Sequence, residues 1–134
     1  MRVLLDTNVL IAALITHGTC HELLENVVRN HQLVSSKNIL GELADNLRHK
    51  FKYTKSEVRD AVVLISERAV LVTPVEVETA IPIDPDDLPV LGTAVAGSCR
   101  CLVTGDKELQ KLCHVEDISV ISPSQFWKLE DEEL

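Results

Sequence analysis

Short apolar runs alternate with longer segments of helical periodicity from one end of this sequence to the other, with no internal repeat and no low-complexity tract. That alternation constrains the chain more than any other feature. Strands that are apolar at consecutive positions bury both faces, and such strands form a parallel sheet with helices packed on it, the α/β class. Candidate strands are Arg2 to Leu5, Gln32 to Ser35, Val70 to Thr73, Cys101 to Thr104 and Ser119 to Ile121. With 134 residues the chain has room for one core, so the expectation is a single domain, residues 1–134, ending in an acidic tail at 130–134.

Helix starts are written between the strands. Thr19 with Glu22 and Thr54 with Glu57 each have capping-box spacing ahead of an apolar stripe. Ser35 or Ser36 can cap a helix carrying Ile39, Leu43 and Leu47, and Ser122-Pro123 opens a short last helix. Asp84-Pro85-Asp86-Asp87 reads as a turn into a helix with Leu88, Leu91 and Val95, where Pro89 is tolerated in the first turn. Gly92, Ala94, Ala96 and Gly97 thin that helix so that it can lie close to the sheet. Glu76 to Asp84, with Pro74 and Pro82 nearby, reads as an extended loop.

The longest strongly apolar stretch, Val9 to Ile15, is much shorter than the roughly 20 residues that span a bilayer, so no membrane span is expected. Asp6 interrupts the apolar start before a secretory core develops, and the expectation is a cytoplasmic protein. The four cysteines, Cys20, Cys99, Cys101 and Cys113, then read as reduced thiols. Cys99, Cys101, Cys113 and His114 lack the paired two-residue gaps of structural zinc sites, and His17, His21, His31 and His49 show no ligand spacing. Trp127 reads as a packing anchor. The net charge of −8 argues against a basic protein that coats DNA. Half of it sits in Glu130, Asp131, Glu132 and Glu133, and a carboxylate cluster neutralised by cations accommodates the rest.

The position of the other acids matters more than their number. Asp6 directly follows the first strand and Asp106 directly follows the fourth. A strand order of 3-2-1-4-5 reverses direction between strands 1 and 4, and ligands of open parallel sheets bind beyond the strand ends at such a point. Asp87, at a helix start, and Glu42, off the apolar stripe of its helix, can reach the same edge. Read singly, Asp6 and Asp106 are also ordinary helix caps, Glu42 a solvated helix residue and Asp86 a turn residue. Carboxylates gathered without His or Cys partners suit hard, oxygen-liganded Mg²⁺ or Mn²⁺.

Three blocks carry a family resemblance: Val3-Leu4-Leu5-Asp6-Thr7-Asn8-Val9-Leu10, Asp87-Leu88-Pro89-Val90-Leu91-Gly92-Thr93-Ala94 and Leu102-Val103-Thr104-Gly105-Asp106-Lys107-Glu108-Leu109. In order and spacing they resemble PIN-domain proteins, close to the VapC-like toxin components of toxin–antitoxin pairs. The resemblance implies a three-layer α/β/α sandwich around a five-stranded parallel sheet, and a metal-dependent ribonuclease. It implies Asp6, Glu42, Asp87 and Asp106 as catalytic, metal-holding acids, with Asp86 one residue from the third position. Asn8 and Thr104 match positions that support the acids by hydrogen bonding.

Two Mg²⁺ or Mn²⁺ ions would balance the four carboxylates and hydrolyse RNA by in-line attack. Arg48, Lys50, Lys52 and Lys55, interleaved with Phe51 and Tyr53, either hold RNA phosphates while a ring stacks on a base or form a solvated turn between helices. A haloacid-dehalogenase phosphatase needs a second Asp where Asn8 stands, and the acid pattern of a response-regulator receiver is absent. The remaining rival is a catalytically silent PIN fold that binds RNA or protein. The family also implies a protein antitoxin as partner, and a homodimer.

Overall fold

The computed structural model describes residues 1–133. Its elements run β1 (Arg2–Leu5), α1 (Thr7–Ile15), α2 (Thr19–Asn30), β2 (Gln32–Ser35), α3 (Lys37–His49), α4 (Lys55–Arg68), β3 (Ala69–Leu71), a 3₁₀ turn (Pro85–Asp87), α5 (Leu88–Ala96), β4 (Cys101–Val103), α6 (Lys107–Gln110), β5 (His114–Val115), β6 (Ile118–Ile121) and α7 (Pro123–Glu133). The sheet order is β3-β2-β1-β4-β6-β5, and every pairing is parallel except β5 with β6. Val3, Leu4 and Leu5 are all fully buried, as are Cys101, Leu102 and Val103. Successive strand residues point to opposite faces, so helices cover both sides of the sheet and make three layers.

Five of the six strands are the expected ones. The sixth, β5, corrects the five-stranded, all-parallel sheet. It is a two-residue edge strand that turns back onto β6 through Glu116, which lies in the left-handed region at φ 52°. Two residues carry no readable alternation, so the pattern could not announce it. β3 is Ala69–Leu71, starting one residue and ending two residues earlier than the apolar run suggested.

Caps explain most helix starts. Thr54 Oγ1 accepts from Glu57 N at 3.1 Å while Glu57 Oε1 accepts from Thr54 N at 2.9 Å, the expected reciprocal box. Ser36, the alternative to Ser35, caps α3 by accepting from Ile39 N. The box expected at Thr19 and Glu22 does not form, because Thr19 is already the first helical residue and Gly18 occupies the cap position. Ser122 and Gln125 make an unanticipated box at α7, with Ser122 N donating to Gln125 Oε1 at 2.9 Å and Gln125 N to Ser122 Oγ at 3.2 Å.

The acidic terminal run is helical through Glu133. Glu130 accepts from Asn26 Nδ2 and pairs with His31 Nε2, both at 2.6 Å, and Glu133 pairs with Arg100 at 2.9 Å. These acids clamp α7 to the rest of the molecule. Thinness of α5 serves two neighbours: a Cβ on Gly97 would come within 2.6 Å of Val34 in the sheet, and one on Gly92 would overlap the Val75 carbonyl. The chain from Val72 to Asp84 has no regular structure and is laid across α5, with Val75 N donating to Gly92 O at 3.2 Å. Among the described residues no helix is long and apolar enough to cross a membrane.

Candidate active site

From β1 the chain reaches β2 on one side and, after two crossovers, β4 on the other, so the ends of β1 and β4 open into a crevice. Asp6 N donates to Val103 O at 2.9 Å, which keeps the two strand ends together one residue past the ladder. Asp6 is buried, and both carboxylate oxygens are used: Oδ1 accepts from Thr7 N at 2.8 Å, and Oδ2 from Thr104 Oγ1 at 2.7 Å and Asn8 Nδ2 at 3.4 Å. Across the crevice, Thr104 Oγ1 accepts from Asp106 N at 3.0 Å and Asn8 Oδ1 from Gly105 N at 3.1 Å. Thr104 and Asn8 thus tie the two strand ends together.

Asp6 and Asp106 are helix caps as well as members of the cluster. Asp106 Oδ1 accepts from Glu108 N at 2.9 Å, and its other oxygen has no partner among the described residues. Asp87 ends the 3₁₀ turn, and its carboxylate accepts no hydrogen bond among the described residues. Thr93 Oγ1, buried in α5, donates to Pro89 O at 2.7 Å and is hydrogen-bonded to Ser36 Oγ at 3.0 Å, which ties the helix after Asp87 to the start of the helix carrying Glu42.

All four acids line one open cleft of about 450 Å³, together with Asn8, Asn46, Lys50, Phe51, Ile11 and Ile15. Asp86 is exposed and does not line it, while Asp87 does. A larger hollow of about 910 Å³ lies under the 73–78 segment against α5. It contains none of the four acids, so chemistry rather than size selects the smaller cleft.

Electrostatics link the acids. Burial raises the Asp6 pKa, against hydrogen bonds from Thr104 and Thr7 that lower it, and the Asp106 charge raises it further. Glu42 is raised by desolvation and then by Asp6, with Thr7 and Lys50 opposing. Asp87 moves from 3.8 to about 6, first through desolvation and then through Asp106, Asp6, Asp84 and Glu42. Burial is the first cause in each case, and mutual repulsion among the acids adds to it.

The donor set is all oxygen. Among the described residues no three Asp, Glu, His or Cys side chains close into a ready-made metal cage. An open arrangement of carboxylates fits Mg²⁺ or Mn²⁺, which retain waters and use few protein ligands, better than the closed tetrahedral set zinc takes. Thr7 Oγ1 is buried beside Glu42 and favours the charged form of that carboxyl. The cysteines form no second site: all are free, and burial pushes the Cys99 and Cys101 thiols up to about 12.

The basic stretch divides. Lys50 lines the cleft. Arg48 donates to Tyr53 O at 2.9 Å and Lys52 to His49 O at 3.1 Å, so both fasten the α3–α4 connection, and Lys55 is exposed at the start of α4. Sequence reasoning missed Asn46, which lies four residues after Glu42 and four before Lys50. That spacing sets all three on one helix face and was available as a signal. It also missed Thr7 and Ile15, for which no pattern existed.

The PIN domain family profile matches residues 2–108. No curated protein matches the chain in sequence. Among solved structures, a chain from VapBC-1 of nontypeable Haemophilus influenzae is 20% identical with a TM-score of 0.66, covering 92% of this chain and 99% of its own. A chain from VapBC2 of Rickettsia felis, solved bound to a DNA fragment from their promoter, is 17% identical with a TM-score of 0.64, covering 91% of this chain and 98% of its own. At these identities the structures speak for the fold. The profile match spans β1 to α6, the segment that brings the four acids together, and on it this chain belongs to the PIN-domain family.

Proposed function

We propose that this protein is a divalent-metal-dependent endoribonuclease and the toxin of a toxin–antitoxin pair. One observation carries the reading: four carboxylates from four separate elements line a single open cleft in which Lys50 is the one cationic residue among the described lining. Asp6, Glu42, Asp87 and Asp106 would hold Mg²⁺ or Mn²⁺. The bound cation supplies Lewis-acid activation of water and charge neutralisation at the phosphate. Thr104 and Asn8 fix the Asp6 carboxylate, Asp106 presents its free oxygen to the cleft, and Lys50 faces the incoming phosphate backbone. Water adds to phosphorus and the 3′ oxygen leaves with a proton, so the products carry a 5′-phosphate and a 3′-hydroxyl.

The names of the two VapBC structures support a protein antitoxin as partner. A cationic segment of such a partner would compete with the metal for these carboxylates. A homodimer belongs to the same reading, and light scattering across micromolar concentrations tests it separately.

The decisive assay is cleavage of single-stranded RNA with Mn²⁺ or Mg²⁺, with and without EDTA. Asp106→Asn is expected to lower the rate on the order of 100-fold or more while the circular dichroism spectrum stays folded. Undiminished activity in EDTA, or a cyclic phosphate product, refutes the proposal. Binding of RNA without any turnover favours the silent scaffold.

A further inference from the structure

Phe51 and Ile15 are 41% and 40% exposed, and they come from different elements: Ile15 ends α1, and Phe51 follows α3. Single exposed apolar side chains need no explanation, but these two line the same strongly acidic cleft. The backbone under Phe51 is pinned on both sides. Phe51 N donates to Asn46 O at 3.3 Å, Tyr53 N to Leu47 O at 3.0 Å and Arg48 Nη1 to Tyr53 O at 2.9 Å. Lys52, in the left-handed region at φ 59°, closes the turn onto His49 O. The ring is therefore presented from a fixed turn. Tyr53, the other aromatic of this stretch, packs against the core.

We propose that Phe51, with Ile15 beside it and Lys50 next to it in sequence, is a stacking platform for an unpaired nucleobase flanking the phosphate in the cleft. The inference rests on the ribonuclease reading and names the substrate feature that reading leaves open: a single strand with an unstacked base. Phosphates are repelled by the four carboxylates, whereas an uncharged base is not. A base bound on Phe51 thus supplies attraction that does not depend on the metal, and the Lys50 ammonium engages the adjoining backbone. Asn46, on the same helix face as Lys50, offers an amide to the base edge.

The test is fluorescence polarisation in EDTA and low salt with two labelled probes: a short oligoadenylate, and a tetrahydrofuran-spacer backbone of equal length that has the phosphates and no bases. Wild type is expected to bind the oligoadenylate more tightly than the spacer. Phe51→Ala should weaken oligoadenylate binding roughly 5- to 150-fold while leaving spacer binding almost unchanged, and Phe51→Trp should restore it. Lys50→Gln should weaken both probes alike and flatten their salt dependence. Equal affinity of wild type for the two probes, no binding of either, or a Phe51→Ala loss that is the same on both overturns the inference. Metal-dependent cleavage that Asp106→Asn abolishes would survive any of those results, so the two readings fail separately.

Discussion

Replacing Asp87 by Asn tests the charge balance of the cleft more cleanly than replacing any other acid, because this carboxylate neither caps a helix through its side chain nor accepts a hydrogen bond among the described residues. Its pKa rises from 3.8 to about 6. The native state therefore binds this proton more tightly than the unfolded chain does. Asp87 contributes full stability below about pH 3.8 and loses that contribution as pH rises through about 6, so the ionised group destabilises the metal-free protein at neutral pH. The rise corresponds to about 3 kcal/mol at most, and solvent screening of a part-exposed side chain reduces it to about 1 kcal/mol. In EDTA near neutral pH, Asp87→Asn should melt roughly 4 °C above wild type, with the advantage shrinking to nothing as pH falls to about 4. Metal reverses the order. Wild type gains about 2.7 kcal/mol at a hundredfold excess over the dissociation constant, and the variant gains far less. Thermal melts of both proteins across pH, in EDTA and in Mn²⁺, settle the point. A variant less stable than wild type in EDTA at neutral pH would refute the destabilising charge, and one equally stabilised by metal would refute the ligand role.

Thr104→Val removes a hydroxyl that donates to Asp6 and accepts from Asp106 N. It should cost about 1–3 kcal/mol in urea denaturation and, at constant fold, lower the cleavage rate about 10- to 100-fold with the acid limb of the pH profile moved upward. In thiol labelling of the native protein, exposed Cys113 should react first, with Cys99 and Cys101 reacting only on unfolding. Native labelling of Cys99 as fast as Cys113 would contradict its burial.

What was legible in the sequence was what burial writes into it. β1 and β2 carry consecutive apolar residues, Val3 to Leu5 and Leu33 to Val34, because both their faces are covered, and their ends were placed to the residue. Strand order put Asp6 and Asp106 at one sheet edge, helix starts put Asp87 and Glu42 within reach of it, the family resemblance named the four together, and the cleft contains all four. The illegible parts depend on choices with equal local merit. Thr19 and Gly18 both satisfy a helix start, and the neighbouring backbone chose glycine. Arg48 and Lys52 have the composition of a phosphate-binding patch, yet each reaches a backbone carbonyl a few residues away. Glu130 and Glu133 look like a solvated tail until partners about 30 to 100 residues distant come into contact.

The bond from Thr104 to Asp6 joins residues 98 apart in sequence, and β1, the first strand made, occupies the middle of the sheet. A ribosome emits those residues at about 5–20 per second, so roughly 5–20 s separate the synthesis of the two halves of the crevice. During that interval β1 has one flank open and the acids of the first half have no counterpart. Assembly of the crevice is therefore a late event in the life of each molecule, and a nascent chain that has not yet released β4 carries only its first half.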